Sequence, residues 1–140
     1  MTLDTRFEQP PTNQLAYPSN IQDDRMQHAA DTENILEAVD ILYPTDVVNQ
    51  HAQELLEETD FYVKSNGRRW AVLALQGNDQ RSDVAKRVEL ERFSTYFGTH
   101  PLKHYVDYSP YDESSIFVTV VDTQHEDGLK PASALRIVKD

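Results

Sequence analysis

Ile35, Leu36, Val39 and Leu42 recur at three- and four-residue steps, which predicts a helix running from Asp31 to just before Pro44. Asp31 or Thr32 can cap it, and Glu33 complements the partial positive charge of its N-terminus. A second helix is predicted from Thr45 as cap, with Val47, Val48, His51, Leu55 and Leu56 on one side. The period then shortens. Phe61 to Lys64 and Arg69 to Leu75 read as strands, and Asn66-Gly67 between them is a hairpin signal, because both residues tolerate positive φ.

After the polar stretch "QGNDQRSD" the helical period returns in "SDVAKRVELERFSTYF". Val84, Val88, Phe93 and Phe97 form its expected apolar stripe, with Lys86, Arg87, Glu89 and Glu91 mostly outward. Gly98 is the expected stop. "THPLKHYV" predicts a short helix with Thr99 as cap and Pro101 in its first turn, and "DYSPYDESS" predicts a loop. Ile116 to Val121 is apolar at every second position on both sides, as expected of a central strand, and Ala132 to Val138 is a last strand. The order predicts an α/β (α+β) fold, a mixed and mainly antiparallel sheet with flanking helices. Residues 1 to 29, with Pro10, Pro11 and Pro18 and no period, are expected to form a flexible arm. Residues 30 to 140 are expected to form one domain.

Composition narrows the classes. The 140 residues carry a net charge of −11 and no cysteine, which excludes disulfides, thiolate zinc and a cysteine nucleophile. The acids Asp31, Glu33, Glu37, Asp40, Asp46, Glu54, Glu57, Glu58 and Asp60 crowd the first two predicted helices, opposed there by Lys64 alone. Such a surface repels phosphate, so no nucleic-acid partner is expected; it suits either a solvated face or docking of a basic protein. No run is long enough to cross a membrane, and the N-terminus has neither the basic nor the apolar region of a signal peptide, so no membrane association and a cytoplasmic location are expected.

Three places hold candidate chemistry. "QGNDQRSD" sits between strand and helix, where a glycine loop can cradle phosphate, but Asp79 and Asp83 oppose an anion and a capped loop is the expectation. His100 and His104 stand four apart with Asp107 near, yet the H-E-x-x-H glutamate is missing, and capping and packing are expected in place of a metal. "DYSPYDESS" gathers Asp107, Tyr108, Tyr111, Asp112 and Glu113 before a buried strand. Arg136, inside "ALRIV", either faces solvent or pairs with Asp112 or Glu113 across the sheet.

From about Val84 to Val138 the chain resembles the N-terminal part of GNAT-type N-acyltransferase-like proteins of actinobacteria and, more distantly, acyl-homoserine-lactone synthases. The residues that carry this are Phe93, the Phe97-Gly98…Pro101 break, Tyr108, Tyr111, Asp112, Ser114, Ser115 and Phe117 leading into a strand, Val120 and Asp122 after it, and Pro131, Ala132 and Arg136 in the last strand. The resemblance implies an acyl-CoA-dependent transferase scaffold with Phe93, Tyr108, Tyr111, Asp112 and Arg136 near a substrate pocket. In that family a Q/R-x-x-G-x-G/A loop beyond the hairpin binds the pyrophosphate of acyl-CoA. None of the four glycines here forms it, so no cofactor is expected in this chain and catalysis on its own is not expected. The last strand's edge is then expected to pair with a second copy or a completing chain.

Overall fold

The computed structural model describes residues 19–59, 61–125 and 128–139. Helices α1 (Ser19–Ala30), α2 (Ile35–Leu42) and α3 (Thr45–Glu58) precede strands β1 (Tyr62–Ser65) and β2 (Arg68–Gln76). Helices α4 (Asp83–Phe97) and α5 (Pro101–Tyr108) follow, then strands β3 (Ser115–His125) and β4 (Gly128–Val138). The four strands form one antiparallel sheet in the order β1-β2-β3-β4. The fold is therefore mixed α/β, with β3 inside the sheet as its two apolar faces predicted.

Local chemistry explains most boundaries. Asn66 (φ 54°) and Gly67 (φ 77°) make the expected tight turn between β1 and β2. Gly98 closes α4 in the left-handed region at φ 66°. The caps differ from expectation. Asn34, not Asp31 or Thr32, accepts the Glu37 amide at 3.0 Å and starts α2, while Asp31 follows the end of α1. Thr45 is the first residue of α3, and its amide is held at 3.0 Å by the Asp40 carboxylate. His100, not Thr99, caps α5 by accepting the Leu102 amide on Nδ1 at 3.1 Å. Residues 19 to 29, read from sequence as part of an arm, lie in α1, anchored by fully buried Ala29 against Val39, Leu42 and Leu90. The remainder of that arm, 1–18, lies outside the described residues.

One sheet face carries the core. Ala71, Leu73 and Leu75 of β2 and Val121 of β3 pack against Val48, Ala52 and Leu55 of α3 and Val84 of α4. A second cluster joins α1, α2 and α4. The predicted α4 stripe holds only in its first half: Val84 and Val88 are buried, but Phe97 is 59% exposed. Leu90 and Ser94 take the inner positions instead. The stripe turns because the second half of α4 faces α2 and α5 rather than the sheet centre.

Candidate functional site

A buried ionic cluster lies where β4, α4, α5 and the segment after α5 meet. Residues Ser109–Ser114, expected as loop, form 3-10 turns that place Asp112 over the end of β2. Gly77 makes that approach possible. A Cβ there would stand 1.9 Å from the Asp112 carbonyl oxygen, while the Gly77 amide donates to the Ser115 carbonyl at 2.8 Å. Arg136 points from β4 to the covered face. It donates through Nε and Nη2 to the Glu89 carboxylate at 3.0 and 2.9 Å, a bidentate pair. Its Nη1 donates to Ser115 Oγ at 3.1 Å and stands 3.0 Å from Asp112 Oδ1. The guanidinium also lies 4.6 Å from the Phe117 ring centre and 5.6 Å from that of Tyr108.

Glu89 is the centre of this cluster. His104 Nε2 stands 3.4 Å from its Oε1, with the imidazole stacked on Tyr108 at 4.4 Å and beside Phe93 at 4.3 Å. Burial pushes the Glu89 carboxyl up, but hydrogen bonds from His104 and Arg136, with their charge, outweigh it and hold the pKa at about 2. On the same side of α4, Lys86 donates to the Gly77 carbonyl at 2.7 Å and pairs with Asp112 at 3.3 Å. Lys86 and Glu89, expected to face outward, therefore face inward.

Beside this cluster opens a cavity of about 380 Å³, bounded by Tyr43 and Tyr105, the Gly77–Gln80 turn, Asp83, Lys86, Asp112 and Glu113. Asp83, on the first turn of α4, is buried; burial, only partly offset by Lys86 and Arg25, raises its pKa to about 6. Burial and the neighbouring Asp83 charge push the Tyr43 hydroxyl well above its ordinary value, so it stays protonated. Asp79 is committed to Arg81, which donates to both carboxylate oxygens at 3.2 and 3.0 Å.

All five residues placed near a pocket by resemblance come together. Phe93 lies 6.2 Å from Tyr108, Tyr108 lies 6.5 Å from Tyr111, and Arg136 meets both Tyr108 and Asp112. Of the five, Asp112 alone lines the cavity. Tyr43 and Tyr105 were not singled out by sequence, Lys86 and Glu89 were read as outward, and Asp83 was read only as opposing an anion. The signal for the α4 residues was present as spacing: Asp83, Lys86 and Glu89 are three apart and share one helical side. His100 and His104 do not converge on a metal. His100 caps α5 and reaches the Thr32 carbonyl with Nε2 at 2.8 Å, and no metal-holding group is found among the described residues. No described helix is long and apolar enough to cross a membrane. No protein-family model, curated protein or solved structure matches this chain.

Proposed function

We propose that the cavity binds a small primary ammonium ion, and that the chain is the acceptor-side portion of a GNAT-like acyltransferase scaffold without its own cofactor site. The observation that carries this is the charge balance of the cavity. Its lining carries Asp79, Asp83, Asp112 and Glu113 against Lys86, which is committed to the Gly77 carbonyl and Asp112, and the charges of Lys86 and Arg25 offset the burial of Asp83 only in part. A buried carboxylate whose charge is only partly offset is costly, and a bound ammonium lowers that cost. The aromatic rings of Tyr43 and Tyr105, 5.8 Å apart, offer the walls that an alkyl chain needs.

Acyl-CoA does not fit these residues. The one strand–glycine–helix turn, between β2 and α4, carries Asp79 and Asp83 where a pyrophosphate would sit, and repulsion opposes an anion there. Calorimetry with acetyl-CoA on the purified chain is expected to give no heat of binding, and tight binding would refute the reading. For the ammonium site, titration with n-butylammonium followed by NMR is expected to saturate, with butyrate inert and the Asp83→Asn variant silent. Equal shifts with butyrate, or none with either, would sink it.

A second reading, docking of a basic protein on α2 and α3, draws on exposed Glu33, Glu37, Asp46 and Glu57. Part of that acidity is already used: Asp40 pairs with Arg87 at 2.9 Å and Glu58 with Arg81 at 2.8 Å. Exchange of Glu54, Glu57 and Glu58 for Gln is expected to abolish capture of such a partner; unchanged capture counts against it.

A further inference from the structure

The sheet's second face bears no helix among the described residues, and it is apolar. On β2, Trp70, Val72 and Ala74 alternate with the buried Ala71, Leu73 and Leu75. On β3, Ile116, Val118 and Val120 are half-buried while Phe117, Thr119 and Val121 are fully buried. The register sets Ile137 beside Ile116 and Leu135 beside Val118, and sets Val63 of β1 beside Trp70. Leu135 is 59% exposed, Ile137 47% and Val63 42%. The four strands thus present one continuous apolar surface.

We infer that this face packs against the same face of a second copy of the chain, sheet on sheet. Charge favours that occupant. Among the described residues the face carries one carboxylate, Asp122, and it is neutralised by an ion pair with Arg68, which also lies over Trp70 at 5.9 Å. Glu37 and Asp40 of α2 and Asp46, Glu54, Glu57 and Glu58 of α3 belong to the helix layer, which covers the other side of the sheet. Stacked sheets stand about 10 Å apart, and a helix layer on each adds roughly 10 Å. The two acidic layers are then about 30 Å apart, several screening lengths at physiological salt. A pairing through the helix layers would bring these acids together.

Area fixes the strength. Four strands at about 4.8 Å spacing and about seven residues at 3.3 Å give a footprint of about 400 Å² per copy. With the rim of Gln76, Ser133 and Lys130, the pair buries about 1,000 Å², the lower end of specific interfaces. Two sheets can stack face to face, and at this size a dissociation constant in the micromolar range is expected.

The test uses the intact chain and its single tryptophan, Trp70, which lies within the proposed interface. Sedimentation velocity from about 1 to 200 μM is expected to show a monomer–dimer equilibrium, with Trp70 emission shifting to the red on dilution in step with it. The Leu135→Lys, Ile137→Lys double variant is expected to weaken the dimer by about 100-fold or more and to leave the circular dichroism unchanged. A monomer throughout would overturn the proposal, whether Trp70 emission is red, from a bare face, or blue, from a face covered within the chain. A dimer whose formation leaves Trp70 unaltered would overturn it too, by placing the contact elsewhere, and this reading stands even if the variant does not fold.

Discussion

At the scale of single residues, Asp83 and Glu89 have opposite consequences for stability. Asp83 titrates near its ordinary value of 3.8 when unfolded and at about 6 when folded. The folded state therefore holds the extra proton between about pH 4 and 6, and stability falls as pH rises through that window. Asp83→Asn is expected to stabilise the empty protein at pH 7, by at most about 3 kcal/mol, with no gain at pH 3.5. Urea denaturation at the two pH values checks this, and equal stabilities at pH 7 would show that burial of Asp83 exerts no such pressure. The same titration sets ligand affinity: n-butylammonium binding is expected to weaken about tenfold per pH unit below 6. Glu89, lowered from 4.5 to about 2, contributes stability that is complete above pH 4.5 and is lost as pH falls toward 2. Glu89→Gln leaves Arg136, whose side chain is 8% exposed, without its main partner and is expected to cost about 3 kcal/mol at neutral pH. The deficit shrinks below pH 4.5. Replacing the pair together, as Glu89→Leu with Arg136→Met, is expected to recover most of it, since well-packed apolar groups avoid the desolvation of both charges.

At the scale of elements, two glycines serve different ends and their substitutions separate. Gly67 sits at φ +77° with nothing within 4 Å of an added Cβ, so Gly67→Ala tests backbone conformation alone and is expected to cost about 1 kcal/mol. Gly77 is a packing glycine. An added Cβ meets the Asp112 carbonyl, and the Ser109–Ser114 segment must move away from β2. Gly77→Ala is expected to cost about 2–3 kcal/mol and to weaken n-butylammonium binding, because Asp112 and Glu113 leave the cavity wall; calorimetry beside thermal melting reads both. The element boundaries show what local rules capture. The Asn66-Gly67 turn, the Gly98 stop and Pro101 in the first turn of α5 are local φ preferences and were legible in the sequence. The caps were not, because Asp31, Thr32 and Asn34 are all competent acceptors and only the packing of α1 against α2 decides which one starts the helix. The outward assignment of Lys86 and Glu89 failed for a related reason. Charge marks a helix face as solvated only until another element brings opposite charges to it, and Arg136 and Asp112 arrive from 47 and 26 positions further along the chain.

At the scale of the whole molecule, function divides between the two faces of one sheet. The helix-covered face carries the ionic cluster and the acidic cavity; the open face carries the surface for a second copy. Raising salt from about 0.05 to 0.5 M is expected to change the dimer constant by less than about threefold, since the acidic layers lie beyond the screening length already. The same change is expected to weaken ammonium binding at the cavity mouth, which is open to solvent. Different salt responses measured on one sample, a near-constant dimer by sedimentation and weakened binding by calorimetry, would separate the two faces; a common response would argue that they are one site.

The residues by themselves determined the order of elements from α2 onward and the β1–β2 hairpin turn, because each depends on neighbours a few positions away. They also marked Arg136 as a charge that must reach either water or a carboxylate. Only the tertiary structure decided which carboxylate takes it, that Glu89 and not Asp112 holds it bidentately, and that the residues of α4 facing it enclose a cavity with Asp83. The pattern of β2 and β3 showed apolar residues on both sides, but not which side the helices would cover. That choice rests on the long-range packing of α3 and α4, and it leaves the other side without a helix among the described residues.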